Sequence, residues 1–409
     1  MRADAYKIIE KTIADCMPDS AVQNSLKALK IAGRVYVAAI GKAAWVMAKA
    51  AADFLGERLE RGVVVTKYGH SKGMLNRFEI VESGHPTPDE NSVLGAHKVT
   101  GLLGEASKED TVLFLLSGGG SALVEVPAEG LSLSDIQKVT QQLLFCGAGI
   151  TEINVIRKKL SAIKGGKLAG FIHGARAYSV ILSDIIGENE DMIASGLTYP
   201  DTSTVENVRH IVEKYNLTME EKVEKILRDS KPCEKSCVEN HVVGSVSELC
   251  KAAAVHAAEL GYEPHILTTS MQCEAREAGK WIASKEHRNY EGPFAIIAGG
   301  ETVVKVTGKG LGGRNQELAL YAARELAGQK DVLLFSIGSD GTDGPTDAAG
   351  GIVDGETVIK LKEARVDVEE TLLNNDSYHA LKKVDGLVIT GPTGTNVNDV
   401  TVLLCKNNG

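Results

Sequence analysis

Val35-Tyr36-Val37-Ala38-Ala39-Ile40-Gly41-Lys42-Ala43-Ala44 passes from six apolar residues through a glycine and a lysine into an alanine-rich run. Thr111-Val112-Leu113-Phe114-Leu115-Leu116-Ser117-Gly118-Gly119-Gly120-Ser121-Ala122 repeats the pattern with three glycines. Outward from these two stretches, short Val/Ile-rich runs ending in glycine alternate with longer Ala/Leu/Lys/Glu stretches of helical period. That alternation is the mark of βα units with buried parallel strands, so the expected class is α/β. Strands are expected at Val35–Ile40, Gly62–Thr66, Phe78–Val81, Thr111–Leu116 and Ala177–Leu182. In the second half they are expected at His241–Val243, Pro264–Thr268, Phe294–Ala298, Thr302–Val306, Val332–Ile337 and Gly386–Thr390. A composition break predicts a boundary near residue 235, giving domains 1–235 and 236–409.

The 409 residues suit two or three domains. A hydrophobic fraction of 43% with 24% charged residues excludes disorder, and a net charge of −9 disfavours nucleic acid and anionic membranes as partners. Any anion site must be local. No apolar run is long enough for a membrane span, and the seven cysteines are scattered and odd in number, unlike a secreted disulfide framework. The expectation is a soluble cytoplasmic protein.

Glycines at the carboxyl ends of parallel strands let backbone N–H groups approach a phosphate, which makes these turns the first places to look for a ligand. Lys42 is either a solvated charge or a phosphate point charge; the surrounding sequence is not a Walker A loop, because Ala43 stands where a Ser or Thr would hold magnesium. Ser117, Gly118, Gly119, Gly120 and Ser121 form a candidate anion cradle or a plain turn. Helical spacing would set Arg157, Ser161 and Lys164 on one face of a basic segment that runs to Lys167. Asp184, after the Ala177–Leu182 strand, can hold Mg²⁺, accept a hydroxyl proton or cap a helix.

In the second half Gly308, Gly310 and Gly313 satisfy G-x-G-x-x-G, so a dinucleotide site must be considered. Arg314 and Asn315 then occupy the first helical turn, where a pyrophosphate site needs small residues; Arg314 suits a carboxylate or phosphate fork better. Glu301, and Asp343 within Gly338–Asp347, add carboxylates at strand ends. Cys233, Cys237 and His241 are a weak zinc pattern lacking a fourth ligand. His85, in Gly84–Asp89 with two prolines, reads more readily as part of a rigid turn than as an acid-base group.

Taken together and in order, Ile40–Ala44, Ser117–Leu123, Arg157–Ala169, Ser183–Gly187, Gly299–Glu317, Gly341–Gly350 and Thr390–Asp399 resemble the class II glycerate 2-kinases. The resemblance implies a Rossmann-like N-terminal domain, with a parallel sheet flanked by helices, and a smaller α/β MOFRL domain. It also implies ATP- and Mg²⁺-dependent phosphorylation of D-glycerate at the 2-hydroxyl, in an interdomain cleft. On that basis Lys42, Arg314 and Asp184 are the expected catalytic residues. Ser117, Gly118, Gly119, Gly120, Ser121, Lys164, Gly310, Gly312 and Gly313 are expected to bind the nucleotide, and Asp184, Glu301 and Asp343 the metal. An NAD(P)H-dependent hydroxypyruvate reductase and a non-catalytic anion-binding module are the alternatives, and homo-oligomerisation stays open.

Overall fold

A computed structural model describes residues 1–183, 190–230, 233, 236–284 and 290–406. The chain divides into two compact units: Pro18–Val243, and Met1–Met17 together with Gly244–Gly409. In the first unit lie β1 (Val35–Ile40), β2 (Leu59–Lys67), β3 (Phe78–Ser83), β4 (Thr111–Leu116), β5 (Arg176–Leu182) and β6 (Val238–Gly244), in the order β3-β2-β1-β4-β5-β6. The pairs β1/β2, β1/β4, β2/β3 and β4/β5 are parallel. Every residue of β1 is buried because both faces of the sheet are covered. Tyr36, Ala38 and Ile40 pack into one core and Val35, Val37 and Ala39 into the other. This is why the run is continuously apolar where a half-exposed strand would alternate.

The strand order reverses between β1 and β4, whose carboxyl ends are level, Ile40 opposite Leu116. Open α/β sheets carry ligands in the crevice at such a switch point. A second, helical core in the same unit joins Ile136, Val139 and Leu143 to Ile153, Ile156 and Leu160 of the Ile150–Leu160 helix.

The other unit carries β7 (Glu263–Met271), β8 (Phe294–Gly300), β9 (Val332–Gly338), β10 (Gly350–Asp354), β11 (Leu387–Val388) and β12 (Asp399–Cys405), ordered β11-β10-β9-β12-β8-β7. Here the expectation of parallel strands fails: only β7/β8 is parallel, and β12 runs antiparallel between β8 and β9. Thr302–Val306 is not a strand either. β8 is already flanked by β12 and β7, so this segment makes a single bridge, Val303 to Glu274, and leaves Val303 and Val306 exposed.

The units also divide the chain differently from residue 235. β6 completes the first sheet, which carries that unit to Val243, while Arg2–Asp15 is a helix whose partners lie far ahead in the chain. Its Asp15 meets His256 at 2.7 Å, its Lys11 meets Glu259 at 2.7 Å, and Asp4 accepts from the Tyr262 hydroxyl. Among the described residues no helix is long and apolar enough to cross a membrane.

Candidate active site

At the switch point the ends of β1 and β4 are tied to each other. Lys42 N–H donates to the Gly118 carbonyl (2.9 Å), Ala43 N–H to Ser117 Oγ (3.1 Å), and Ser117 N–H to the Ile40 carbonyl (3.0 Å). Gly119 has a left-handed backbone (φ 87°), which an L side chain rarely adopts. A methyl group there would also sit 3.3 Å from Lys42 Cε and 3.2 Å from His85 Nε2. Lys42 and His85 therefore flank the middle glycine of the turn. The sequence favoured a rigid turn over an acid-base role for His85; its nearness to Lys42 comes from the loop that follows β3, and no spacing in the chain encodes it.

The cradle residues are held from behind. Ser121 Oγ lies 2.8 Å from Ser195 Oγ, which lies 2.8 Å from Asn154 Oδ1 on the Ile150–Leu160 helix. Asn154 and Ser195 are buried. Neither was singled out in the sequence, where an Asn inside a basic helical run carries no distinguishing signal. Asp184 lies outside the described residues.

Lys164 does not join the cradle. The helix ends at Leu160, so the expected face of Arg157, Ser161 and Lys164 does not exist. Lys164 is fully buried and paired with Glu125, and it also donates to the Val124 carbonyl at 3.1 Å. Burial, the largest influence, draws its pKa down against the pull of Glu125. A cation committed to a buried carboxylate is not free for a nucleotide, so Lys164 is a structural residue.

In the second unit the antiparallel β12 brings Asp399 level with Gly300 at the end of β8 and Gly338 at the end of β9. Arg314 opens the Arg314–Leu326 helix and grips Asp399 with two N–H groups, Nε to Oδ2 at 2.6 Å and Nη2 to Oδ1 at 2.9 Å. Its Nη1 meets Glu301 Oε1 at 3.0 Å. A guanidinium has five N–H donors, so Arg314, 34% exposed, keeps two for a ligand. Burial would lower its pKa, but the Asp399 hydrogen bonds and charge outweigh that and raise it. For Asp399 the largest influence is burial, which pushes the carboxyl up to about 6 although Arg314 pulls it down.

Asp343 is not available to a metal. Its Oδ1 accepts from the Asn315 N–H and amide, its Oδ2 from the Gln316 N–H and amide, and it is 2% exposed. The carboxylate caps the helix, with burial raising its pKa. Four N–H donors fill both oxygens, and no cluster of three or more metal-binding side chains occurs among the described residues. Of the two expected metal ligands among the described residues, Asp343 is buried and Glu301 is partly exposed and faces Arg314.

The glycines before Arg314 serve the protein's own packing. The Gly308 N–H donates to Asn375 Oδ1 (2.9 Å), the Gly310 N–H to the Asn374 carbonyl (2.8 Å), and the Leu311 N–H to Asp376 Oδ1 (2.9 Å). Side chains at Gly308, Gly310, Gly312 and Gly313 would strike Asn374, Asp376, Ser377 and Asp343. The expected nucleotide contacts of Gly310, Gly312 and Gly313 are thereby displaced: the glycines admit neighbouring chain, and Asp343 occupies the helix N-terminus that a pyrophosphate would need. The zinc pattern dissolves too, since Cys233, Cys237 and His241 are all described and form no group of side chains that could hold a metal ion.

The sequence matches the family described as a domain of unknown function, DUF4147, over residues 4–228 and the MOFRL family over residues 294–399. The D-glycerate 2-kinase of Thermotoga maritima is 52% identical over 404 residues, 97% of each chain. The glycerate 2-kinase of Pyrococcus horikoshii is 43% identical, covering 98% of this chain and 94% of that one. The crystal structure of the Thermotoga maritima glycerate kinase aligns with a TM-score of 0.92 at 51% identity, over 98% of this chain and 99% of that one. With a lysine and a glycine turn at the switch point of one unit, an oriented arginine in the other and this degree of likeness along the whole chain, the protein belongs to the glycerate 2-kinase family.

Proposed function

We propose that the protein transfers the γ-phosphoryl group of ATP to the 2-hydroxyl of D-glycerate. The observation that carries this reading is the convergence of Lys42 with the Ser117–Ser121 turn at the β1/β4 switch point, a place suited to phosphate by charge and by backbone. The relatives named above act, by their names, on glycerate.

In the reaction the 2-hydroxyl oxygen forms a bond to the γ-phosphorus, the bond from that phosphorus to the bridging oxygen breaks, and ADP leaves with the electron pair. There is little covalent work for the protein; catalysis is positioning and charge. Lys42 offsets the negative charge on the transferred phosphoryl oxygens, and the glycine turn lets the backbone come close. The two remaining N–H groups of Arg314 hold an anionic group of a substrate, with Asp399 fixing the plane of the guanidinium. Asp184 is assigned the acceptor hydroxyl and its proton. Mg²⁺ comes with ATP as part of the substrate, and no cage of Asp184, Glu301 and Asp343 is invoked.

A reductase is disfavoured by the Gly308–Gly313 loop, whose hydrogen bonds are internal and whose helix is already capped. One assay decides the point: supply ATP, Mg²⁺ and D-glycerate, and identify the product with enzymes specific for 2-phosphoglycerate or 3-phosphoglycerate. Formation of 2-phosphoglycerate without NADH or NADPH oxidation by hydroxypyruvate is the expected result. Nicotinamide oxidation with no phosphoglycerate would overturn the reading.

A further inference from the structure

We propose that Arg157 is an anion-binding residue of this site, holding a carboxylate or phosphate group of one of the two substrates in its guanidinium fork. The substrates are named from the function proposed above, whereas the binding of an anion at Arg157 stands without it.

The basic segment Arg157–Lys167 is largely buried, in a chain whose net charge is −9. Lys159 is buried and donates to Asp201 (2.7 Å) and the Ser203 carbonyl (2.8 Å). Lys158 lies 4.0 Å from Asp201, and Lys164 holds Glu125. Lys167 is spent on the carbonyls of Lys158 (2.7 Å) and Ser161 (2.6 Å). Arg157 differs from these four: among the described residues its guanidinium has neither a hydrogen bond nor an ion pair, although it is only partly exposed. Burial draws its pKa down, and the charge of Glu125 only partly opposes this. Among the described residues these five cations face two carboxylates, Asp201 and Glu125, both taken by lysines. Partial burial of a guanidinium without an acceptor is unfavourable, and an anionic ligand removes the cost.

Its place in the fold ties this unspent cation to the glycine turn in two ways. Arg157 is three residues beyond Asn154, which puts the two on the same side of the Ile150–Leu160 helix. Asn154 is joined through Ser195 to Ser121 of the turn. Arg157 also acts electrostatically on Lys164, the partner of Glu125, only two residues past the short Gly120–Leu123 helix that follows the turn. Ile153, Ile156 and Leu160 of the same helix are fixed in the helical core, and Arg157, four residues beyond Ile153, borders that apolar stripe on the side that Asn154 occupies.

The test uses the full chain with Arg157→Gln and Arg157→Lys. KM and kcat are measured for D-glycerate and for ATP, and the thermal midpoint is followed with D-glycerate or inorganic phosphate alone. Arg157→Gln should raise one KM by about tenfold or more, as for loss of a charge-assisted pair, with Arg157→Lys in between. The thermal shift by the matching probe should vanish while the other persists: loss with D-glycerate identifies a carboxylate, loss with phosphate a phosphoryl group. If Arg157 serves only Glu125, the variant will lose stability while both KM values and both shifts stay, and the proposal falls. Should Arg157→Gln not fold, the same comparison is made with Arg157→Lys. A wild type inactive on D-glycerate, whose stabilisation by phosphate is lost in the variant, keeps the anion site and removes the kinase reading.

Discussion

Lys42 owes its position to the residue before it: Gly41 follows a fully buried strand with φ 135°, and a side chain there would collide with Ser117. In the proposed reaction its charge acts chiefly on the transition state. Lys42→Ala should lower kcat by about 10²-fold with the fold intact, the usual effect of removing one electrostatic stabiliser. Near-normal turnover of folded variant would make Lys42 a solvated surface charge. Asp399 gives a prediction in pH. Its carboxyl titrates at about 6 in the folded protein, above the roughly 3.9 of an unfolded chain. The folded state therefore binds this proton more tightly, and the associated stability is full below about pH 4 and lost as pH rises through about 6. Activity runs the other way, because protonation removes the charge that orients Arg314. An acid limb near pH 6 in kcat/KM is expected for the wild type, and Asp399→Asn should abolish the limb along with much of the activity; an unchanged limb would place the titration elsewhere. Lys42 and the Ser117–Ser121 turn were legible because each sits directly after an apolar run. Asp399 was not, since its meaning lies in Arg314, 85 residues away.

Among elements, the Arg314–Leu326 helix depends on a cap from outside its own chain segment. Asp343 takes the N–H groups of both Asn315 and Gln316, so Asp343→Ala should destabilise the protein by about 1–2 kcal/mol or more in urea unfolding, as for loss of a strong N-cap. A variant with an unchanged midpoint would mean that those N–H groups find other acceptors. The strands show where local sequence suffices. β1 and β4 match their expected ends residue for residue, because strands covered on both faces are uniformly apolar. β10 begins Gly350-Gly351, residues that weaken strand propensity but are needed here, since side chains would strike Ser336 and Ala319. β12 was not among the expected strands, although Val400-Thr401-Val402-Leu403-Leu404 is an apolar, β-branched run, and nothing within that run shows that it lies antiparallel between two strands made earlier.

For the whole molecule, the assignment of residues 1–17 to the second unit makes the amino-terminal helix part of that unit's core. Ala5, Ile8, Ile9 and Ile13 are buried in it. A chain beginning at Pro18 should unfold the second unit at lower temperature while the first unit keeps its midpoint, read by calorimetry or by hydrogen exchange of β1 and β12. Equal protection of β12 with and without the helix would show it to be dispensable. The two units were foreseeable from the composition break, but the return of the amino terminus was not, because an amphipathic helix does not name its partner.

The Asp15–His256 contact spans 241 residues of chain, which has a consequence during synthesis. At about 5–20 residues per second, the ribosome needs on the order of 10–50 s between making the first helix and making the helix that receives it. Throughout that interval the apolar stripe of Ala5, Ile8, Ile9 and Ile13 has left the exit tunnel with no native surface to cover it, while the first unit's sheet is already complete enough to fold. The nascent chain thus carries a sticky leading segment across most of its translation.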